Sequence, residues 1–393
     1  MTNRPDADPP RADVEPKRAE ADPQRPGVDP PRADPTPHWS AAAPQPRPAP
    51  TAVSRRSAAV RTVLALAVLL PIALLALFVG VAVGAGELSL RAALRGVEPD
   101  ATVLFRLRIP RVLLAAEVGA GLSVAGVALQ ALLRNPLADP FIFGLSGGAA
   151  VGTAAFVAFS GTFLGAATAA AASWSGLLPA QVAAVVGALA AALLVFTLGR
   201  ARGQLAPERA LLVGVVFNSF ASAVVISVEA VLQPEQTQAV LLWLSGTMGY
   251  EPRGVLFSAG VLVLVPALLL TALAGRLNLL ALGDEGAAAL GVDVAQTRLA
   301  AFIAASVMVG VSVALTGLVG FVGLVVPHGV RMITGPDHRV VIPASALGGA
   351  AFLVLADALS RALFRNLGME PPVGAVTAMV GAPIFVLLLR SRK

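Results

Sequence analysis

The chain has 393 residues, 56% hydrophobic and only 13% charged, with a mean hydropathy of +0.78, against about 45–50% apolar and about 25% charged in soluble domains. A soluble globule is excluded, and in a membrane chain the net charge of +6 speaks for cytoplasmic loops, where Lys and Arg collect, and not for nucleic acid. There is no cysteine, which removes disulfides, thiolate metal sites and cysteine nucleophiles.

The first 53 or so residues differ from everything after them. Fourteen of the 30 prolines fall here, among eight acidic and seven basic residues, and Pro-Pro-Arg-Ala-Asp occurs at 9–13 and again at 30–34. Such a segment cannot bury enough apolar surface to offset the entropy of ordering. It also lacks the compact basic, apolar and small-residue order of a signal peptide. Residues 1–57 are expected to form a disordered, Pro-rich cytoplasmic tail, succeeded by a transmembrane domain over 58–393.

From Arg61 onward the apolar residues come in long runs without period-2 alternation, which favours helices over a β-barrel. One crossing takes roughly 20 apolar residues. The runs fall at about 62–84, 112–133, 141–159, 178–198, 210–231, 255–274, 299–316, 318–333, 343–361 and 372–389. The predicted fold is all-α and polytopic, with about ten transmembrane helices and both termini in the cytoplasm. On that topology fourteen Arg and Lys residues outside the tail lie inside and eight outside, in the direction of the positive-inside rule. The outer excess sits in two clusters, before the second run and after the ninth. Gly and Ala are dense in 118–121, 144–152 and 310–323, and small residues let transmembrane backbones approach closely. Gly147-Gly-Ala-Ala150 and Gly348-Gly-Ala-Ala351 echo one another, a weak sign of duplication.

Between the runs, the polar segments have local logic. The stretch 276–298 is too long for a simple connector, since connections in bundles usually take about 2–8 residues. It reads as two short helices: Gly283 breaks the first stretch, Asp284 can cap the second, Gly291 can end it, and Asp293 with Gln296 forms a capping-box pattern that starts the next long helix. A short helix with acids beside Arg276 and Arg298 suits docking into a groove on a soluble partner. Asn135-Pro-Leu-Ala-Asp-Pro140 is a stiff turn, because its prolines fix the backbone. Asp357 and Arg361, four apart, share one helix face and can pair as a structural link near the outer surface. Glu117 and Glu229 are either neutralised by a neighbour such as Arg111 or line a pathway.

Other chemistry finds no support. A phosphate-binding loop needs Gly-Lys-Ser or Gly-Lys-Thr, and neither Lys17 nor Lys393 has that context. His-Glu-x-x-His and Gly-x-Ser-x-Gly are absent as well. His328 stands alone as a ligand, so no metal site is expected, and Asp337-His338-Arg339 reads as a solvated turn. An ion-coupled secondary transporter would need ionisable residues near the midplane, for which Glu117 and Glu229 are the candidates.

Several motifs in order carry a resemblance: Arg108-Ile-Pro-Arg111, Leu129 to Pro140, Leu277 to Glu285 with Leu290-Gly-Val-Asp293, Gly320 to His328, Leu355 to Arg361, and Pro372 to Pro383. Over about 58–392 the chain resembles the FecCD-type permeases of ABC importers, the family of the vitamin B12 and ferric-siderophore permeases. The resemblance implies a type II importer bundle in the bacterial inner membrane. It would work as a homodimer or heterodimer with a related permease, two ABC ATPase subunits and an external solute-binding protein, and would carry an iron-siderophore, haem or cobalamin. ATP and Mg would then belong to the ATPase, with no catalytic residue and no cofactor in this chain. It further implies ATPase coupling through Asp284, Glu285, Gly286, Ala287, Leu290 and Gly291, a cytoplasmic gate at Asn135 and Leu137, and docking of the binding protein at Arg108, Arg111 and Arg361.

Overall fold

In hydrocarbon every backbone N–H and C=O must be satisfied within the segment, and apolar runs of this length do so as helices. The structure, a computed structural model, describes residues 52–84, 86, 88–160, 163–175, 177–201 and 204–390. The tail expected over 1–57 lies outside the described residues as far as residue 51. Its last residues belong instead to the first helix, α1 (Ala52–Ala82).

After α1 come α2 (Leu90–Leu94) and α3 (Asp100–Thr102), which continues through a π-helical turn (Val103–Arg108) into α4 (Ile109–Leu133). A 3-10 turn (Pro140–Phe143) leads to α5 (Leu145–Phe159), α6 (Phe163–Ser175) and α7 (Pro179–Leu198). Two-residue strands at Arg200–Ala201 and Gln204–Leu205 pair antiparallel. The chain continues with α8 (Pro207–Glu229), α9 (Pro234–Leu244), α10 (Arg253–Leu280), α11 (Asp284–Ala289), α12 (Val294–Thr316), α13 (Val322–Thr334), α14 (His338–Leu367) and α15 (Val373–Arg390).

Among the described residues seven helices are long and apolar enough to cross a membrane: α1, α4, α7, α8, α10, α12 and α14. The shorter apolar helices α5, α13 and α15 bring the set to the ten runs seen in the sequence. Helices α6 and α9 were not anticipated, being short pieces within the connections.

Burial separates the helices by role. In α4 and α12, 78% of the most apolar window is buried, against 22% in α1 and 17% in α8, so the first pair forms the core and the second faces lipid or a partner. The two most extensive helix contacts, α4 with α14 and α5 with α7, are both made by glycine. A Cβ on Gly119 would lie 2.2 Å from the Gly349 carbonyl oxygen, and one on Gly148 2.3 Å from that of Gly187. The second glycine of each Gly-Gly-Ala-Ala pair thus plays the same part, letting two backbones touch where lipid rewards only close packing.

Helix α13 is short because the chain breaks before it. Gly317 (φ +68°) and Phe321 (φ +69°) turn the backbone, and the Gly374 N–H donates to the Gly246 carbonyl at 2.9 Å beside Leu318. Three backbones meet there, and a Cβ on Gly246 or Gly374 would sit 2.4 Å from the Leu318 oxygen.

Candidate functional site

At the end of the bundle expected to be cytoplasmic, the connection from α10 to α12 is an ordered helix between two glycine turns. Gly283 (φ +104°) precedes α11 and Gly291 (φ +81°) comes after it. The Gly291 N–H reaches the Ala288 carbonyl at 2.9 Å and the Val292 N–H that of Ala287 at 3.1 Å, the Schellman pattern, with Val292 and Ala287 both buried. Asp293 then caps α12, its Oδ1 accepting the Gln296 N–H at 2.9 Å. The capping role expected of Asp284 is not observed: Gly283 is the N-cap and Asp284 the first helical residue. Its Oδ1 instead accepts from Arg134 Nη2 and, at 2.8 Å, from Arg298 Nη2.

The residues assigned to coupling divide by direction. Glu285, Leu290 and Gly291 are exposed, Asp284 and Gly286 partly so, and Ala287 is fully buried. Ala287 therefore packs the segment against the body and cannot touch a partner. Sequence reasoning missed the exposed Ala288 and Ala289, which only the helical phase of α11 reveals.

The stiff turn lies alongside. Arg134 ends α4 in the left-handed region (φ +51°), and the Asn135 N–H returns to the Gln130 carbonyl at 3.2 Å. Asn135 Oδ1 accepts the Leu137 N–H at 2.9 Å, an Asx turn that leaves both side chains exposed. Buried Gln130 holds the turn to α13: its Nε2 donates to the carbonyls of Ala138 (3.3 Å) and Gly323 (3.2 Å), and its Oε1 accepts from Arg331. Asp139 closes the turn by accepting the Phe141 N–H at 2.8 Å. Burial pushes its carboxyl above the usual aspartate range, opposed by that bond.

His338 is not in a solvated turn. It is buried, its backbone N–H donates to Asn278 Oδ1 at 2.9 Å, and its Nδ1 lies 2.7 Å from the same oxygen. Asn278 Nδ2 donates in turn to Asp337 Oδ1 at 2.7 Å. These groups, with Arg134 and Arg331, line a cleft of about 560 Å³.

At the opposite end, the three arginines expected to form an exposed rim are buried, with relative exposures of 7% for Arg108, 3% for Arg111 and 4% for Arg361. Arg108 donates to the carbonyls of Val81 (3.0 Å), Ala82 (2.9 Å) and Gly86 (2.7 Å), so it satisfies the orphan carbonyls that end α1. Arg361 donates to Val83 O at 2.5 Å and pairs with Asp357 Oδ2 at 2.8 Å. Arg111 pairs with Asp357 Oδ1 at 2.8 Å and with Glu370, and its guanidinium lies 5.7 Å from the Tyr250 ring centroid. The predicted Asp357–Arg361 pair is present, but as one half of a carboxylate bridged by two arginines. None of the three stands free as a docking group. Among the described residues, the exposed arginines of this end and its neighbouring segments are Arg91, Arg95, Arg106 and Arg253.

With Arg111 engaged, it does not neutralise Glu117, which lies against α10, its Oε1 3.2 Å from where a Cβ on Gly260 would sit. Glu229 lines a cavity of about 420 Å³ with Ser146, Asn218 and Ser222. Among the described residues no group of three or more His, Asp or Glu could hold a metal ion, and His328 is buried without such company.

The FecCD transport family model matches residues 63–391. The chain is 38% identical to the cobalamin import system permease protein of Halobacterium salinarum, over 76% of each chain. It is 40% identical to the hemin transport system permease protein of Yersinia pestis, over 74% of this chain and 84% of that one. The Fe(3+) dicitrate transport system permease protein of Escherichia coli is 38% identical over 73% of this chain and 85% of its own. A solved structure described as an inward-facing conformation of a metal-chelate type ABC transporter superposes with a TM-score of 0.71 at 29% identity, covering 84% of this chain and 99% of the other. A match of that extent, over every apolar run and both polar segments just described, makes this chain a member of the FecCD transport family.

Proposed function

We propose that the chain is the membrane-spanning permease subunit of an ABC importer in the bacterial inner membrane, carrying an iron-siderophore or a related chelate such as haem or cobalamin. The observation that carries the reading is α11, a short helix ordered between two glycine turns with Glu285, Ala288, Ala289 and Leu290 outward. A permease needs such a projection to receive work from a separate ATPase. The relatives' names, which concern cobalamin, hemin and ferric dicitrate, support the class of cargo.

In the assembly two permease copies, identical or related, meet two ATPase subunits inside and a solute-binding protein outside. ATP binding closes the ATPases, α11 moves, and the bundle exchanges an outward cavity for an inward one, with Asn135 and Leu137 at the cytoplasmic narrowing. Arg108, Arg111 and Arg361 hold the outer face in shape. The exposed Arg91, Arg95, Arg106 and Arg253 give it the charge that steers an acidic binding protein.

The test is uptake of labelled ferric hydroxamate, haem and cobalamin in a deletion strain complemented with this chain. The companion ATPase is supplied either intact or with its phosphate-binding lysine replaced. Uptake of one chelate that vanishes with the inactive ATPase is expected. Uptake that persists without it would overturn the reading in favour of an ion-coupled transporter.

A further inference from the structure

Arg134 is where the two cytoplasmic parts of the site meet. It directly precedes Asn135, and it is one of two non-glycine residues with positive φ among those described. That backbone is unfavourable for a residue with a Cβ, so something must hold it. Its side chain shows what does. Nε donates to the Leu280 carbonyl, at the end of α10, at 3.0 Å, and Nη2 bonds Asp284 Oδ1 at the start of α11. The same carboxylate oxygen takes Arg298 of α12, which is 4% exposed. One aspartate therefore joins the end of α4, the projecting helix and a core helix.

The rest of the arrangement makes this link directional. Gly283 and Gly291, with positive φ at either end of α11, are positions where backbone rotation meets no Cβ, so α11 can pivot about them. Beyond Arg134 the chain is stiff: Pro136 restricts its neighbours, and the Asn135 side chain is closed on the Leu137 N–H. A shift imposed at Arg134 is thus carried to Leu137 and not absorbed on the way. The partly exposed Arg134–Asp284 pair, with both side chains over a third exposed, adds little to stability by itself, which leaves geometry as its role.

We propose that Asp284 is a positioning residue that ties the docking helix to the gate, forming with Arg134 a strut through which displacement of α11 is imposed on Asn135 and Leu137. Asp284 thereby acts inside the chain and not on the ATPase. This rests on the reading of α11 as the ATPase-facing segment.

The experiment uses the full permease with its copurified ATPase subunit in nanodiscs. The natural absence of cysteine allows one spin label at Leu137→Cys and a reference label at Leu193→Cys, an exposed position on α7. The 137–193 distance is measured with and without vanadate-trapped ATP. In the otherwise unchanged chain the distance shifts on trapping. In Asp284→Asn and in Arg134→Ala, ATPase association and the nucleotide-free distance are retained while the shift falls to half or less, and Asp284→Glu and Arg134→Lys restore it. A merely structural role would change the nucleotide-free distance as well. A full shift in both variants overturns the strut alone. Loss of ATPase association in Asp284→Asn overturns it in favour of direct docking. No shift in the unchanged chain with ATPase bound and turning over overturns the gate reading and the strut with it.

Discussion

Asp357 is fully buried between Arg111 and Arg361, 2.8 Å from each. Removing it strands two desolvated guanidinium groups, and breaking a buried pair by deleting one partner costs about 3–5 kcal/mol. Asp357→Ala is therefore expected to lose most folded protein, read as collapse of the monodisperse peak in detergent or a large fall in melting temperature. Glu370→Gln, whose side chain is 35% exposed, should cost about 1 kcal/mol or less. A charge reversal at Arg108 or Arg111 would report on folding before it reported on docking. Only the i,i+4 half of this network was legible in the sequence. Asp357 and Arg361 share a helix face by spacing alone, whereas Arg111 reaches Asp357 across 246 positions, and no local pattern encodes that approach. Arg108, Arg111 and Arg361 look like a solvent-facing rim until the fold shows that their partners are the carbonyls at and just after the end of α1 and a buried carboxylate.

At the scale of elements, glycine has two kinds of position. Gly119, Gly349, Gly148 and Gly187 stand where a Cβ would overlap a facing backbone carbonyl, and backbones cannot give way as a flexible side chain can. Gly349→Val and Gly148→Val are expected to abolish the folded bundle. Gly254, in α10 with nothing within 4 Å of an added Cβ, should accept Ala with a gain of roughly 0.5–1 kcal/mol; equal effects at Gly349 and Gly254 in a melting assay would refute the packing argument. The helices themselves were legible because runs of about 20 apolar residues allow little else. Which helices are central was not, since α4 and α8 are alike in hydrophobicity and differ only in what covers them. For α11 the glycine turns and the Asp293 cap were readable from spacing, but the burial of Ala287 and the pairing of Asp284 with Arg134 and Arg298 depended on tertiary contacts. A docking test therefore belongs on the outward face. Leu290→Asp, at a residue 56% exposed, should weaken ATPase copurification about tenfold, the effect of losing one interface anchor worth on the order of 1–2 kcal/mol, with the melting temperature unchanged. Ala287→Asp should lower the melting temperature instead.

For the whole molecule, sidedness comes from which residues the fold gathers at each end. One end brings together Val81, Ala82, Val83, Gly86, Arg108, Arg111, Tyr250, Asp357, Arg361 and Glu370. The other gathers Gln130, Arg134, Asn278, Leu280, Asp284, Arg298, Arg331 and His338. These two sets are the ones that strict alternation of ten crossings assigns to opposite faces. The arginine excess then decides which face is cytoplasmic, since fourteen basic residues against eight favours the end holding Arg134 and Arg331. Among the described residues α1 starts on that side, and α15 ends there after setting out beside Glu370. Gly161, a natural outer probe site by sequence, lies outside the described residues, so exposed positions that are described serve better. Single cysteines at Val97 and Met369, 52% and 67% exposed, should react with an impermeant maleimide added to intact cells or right-side-out vesicles. Cysteines at Pro336 and Ala288, both exposed at the opposite end, should react only after permeabilisation. Labelling of Pro336→Cys from outside, or protection of Met369→Cys, would invert the topology, and would place α11 where no ATPase could reach it.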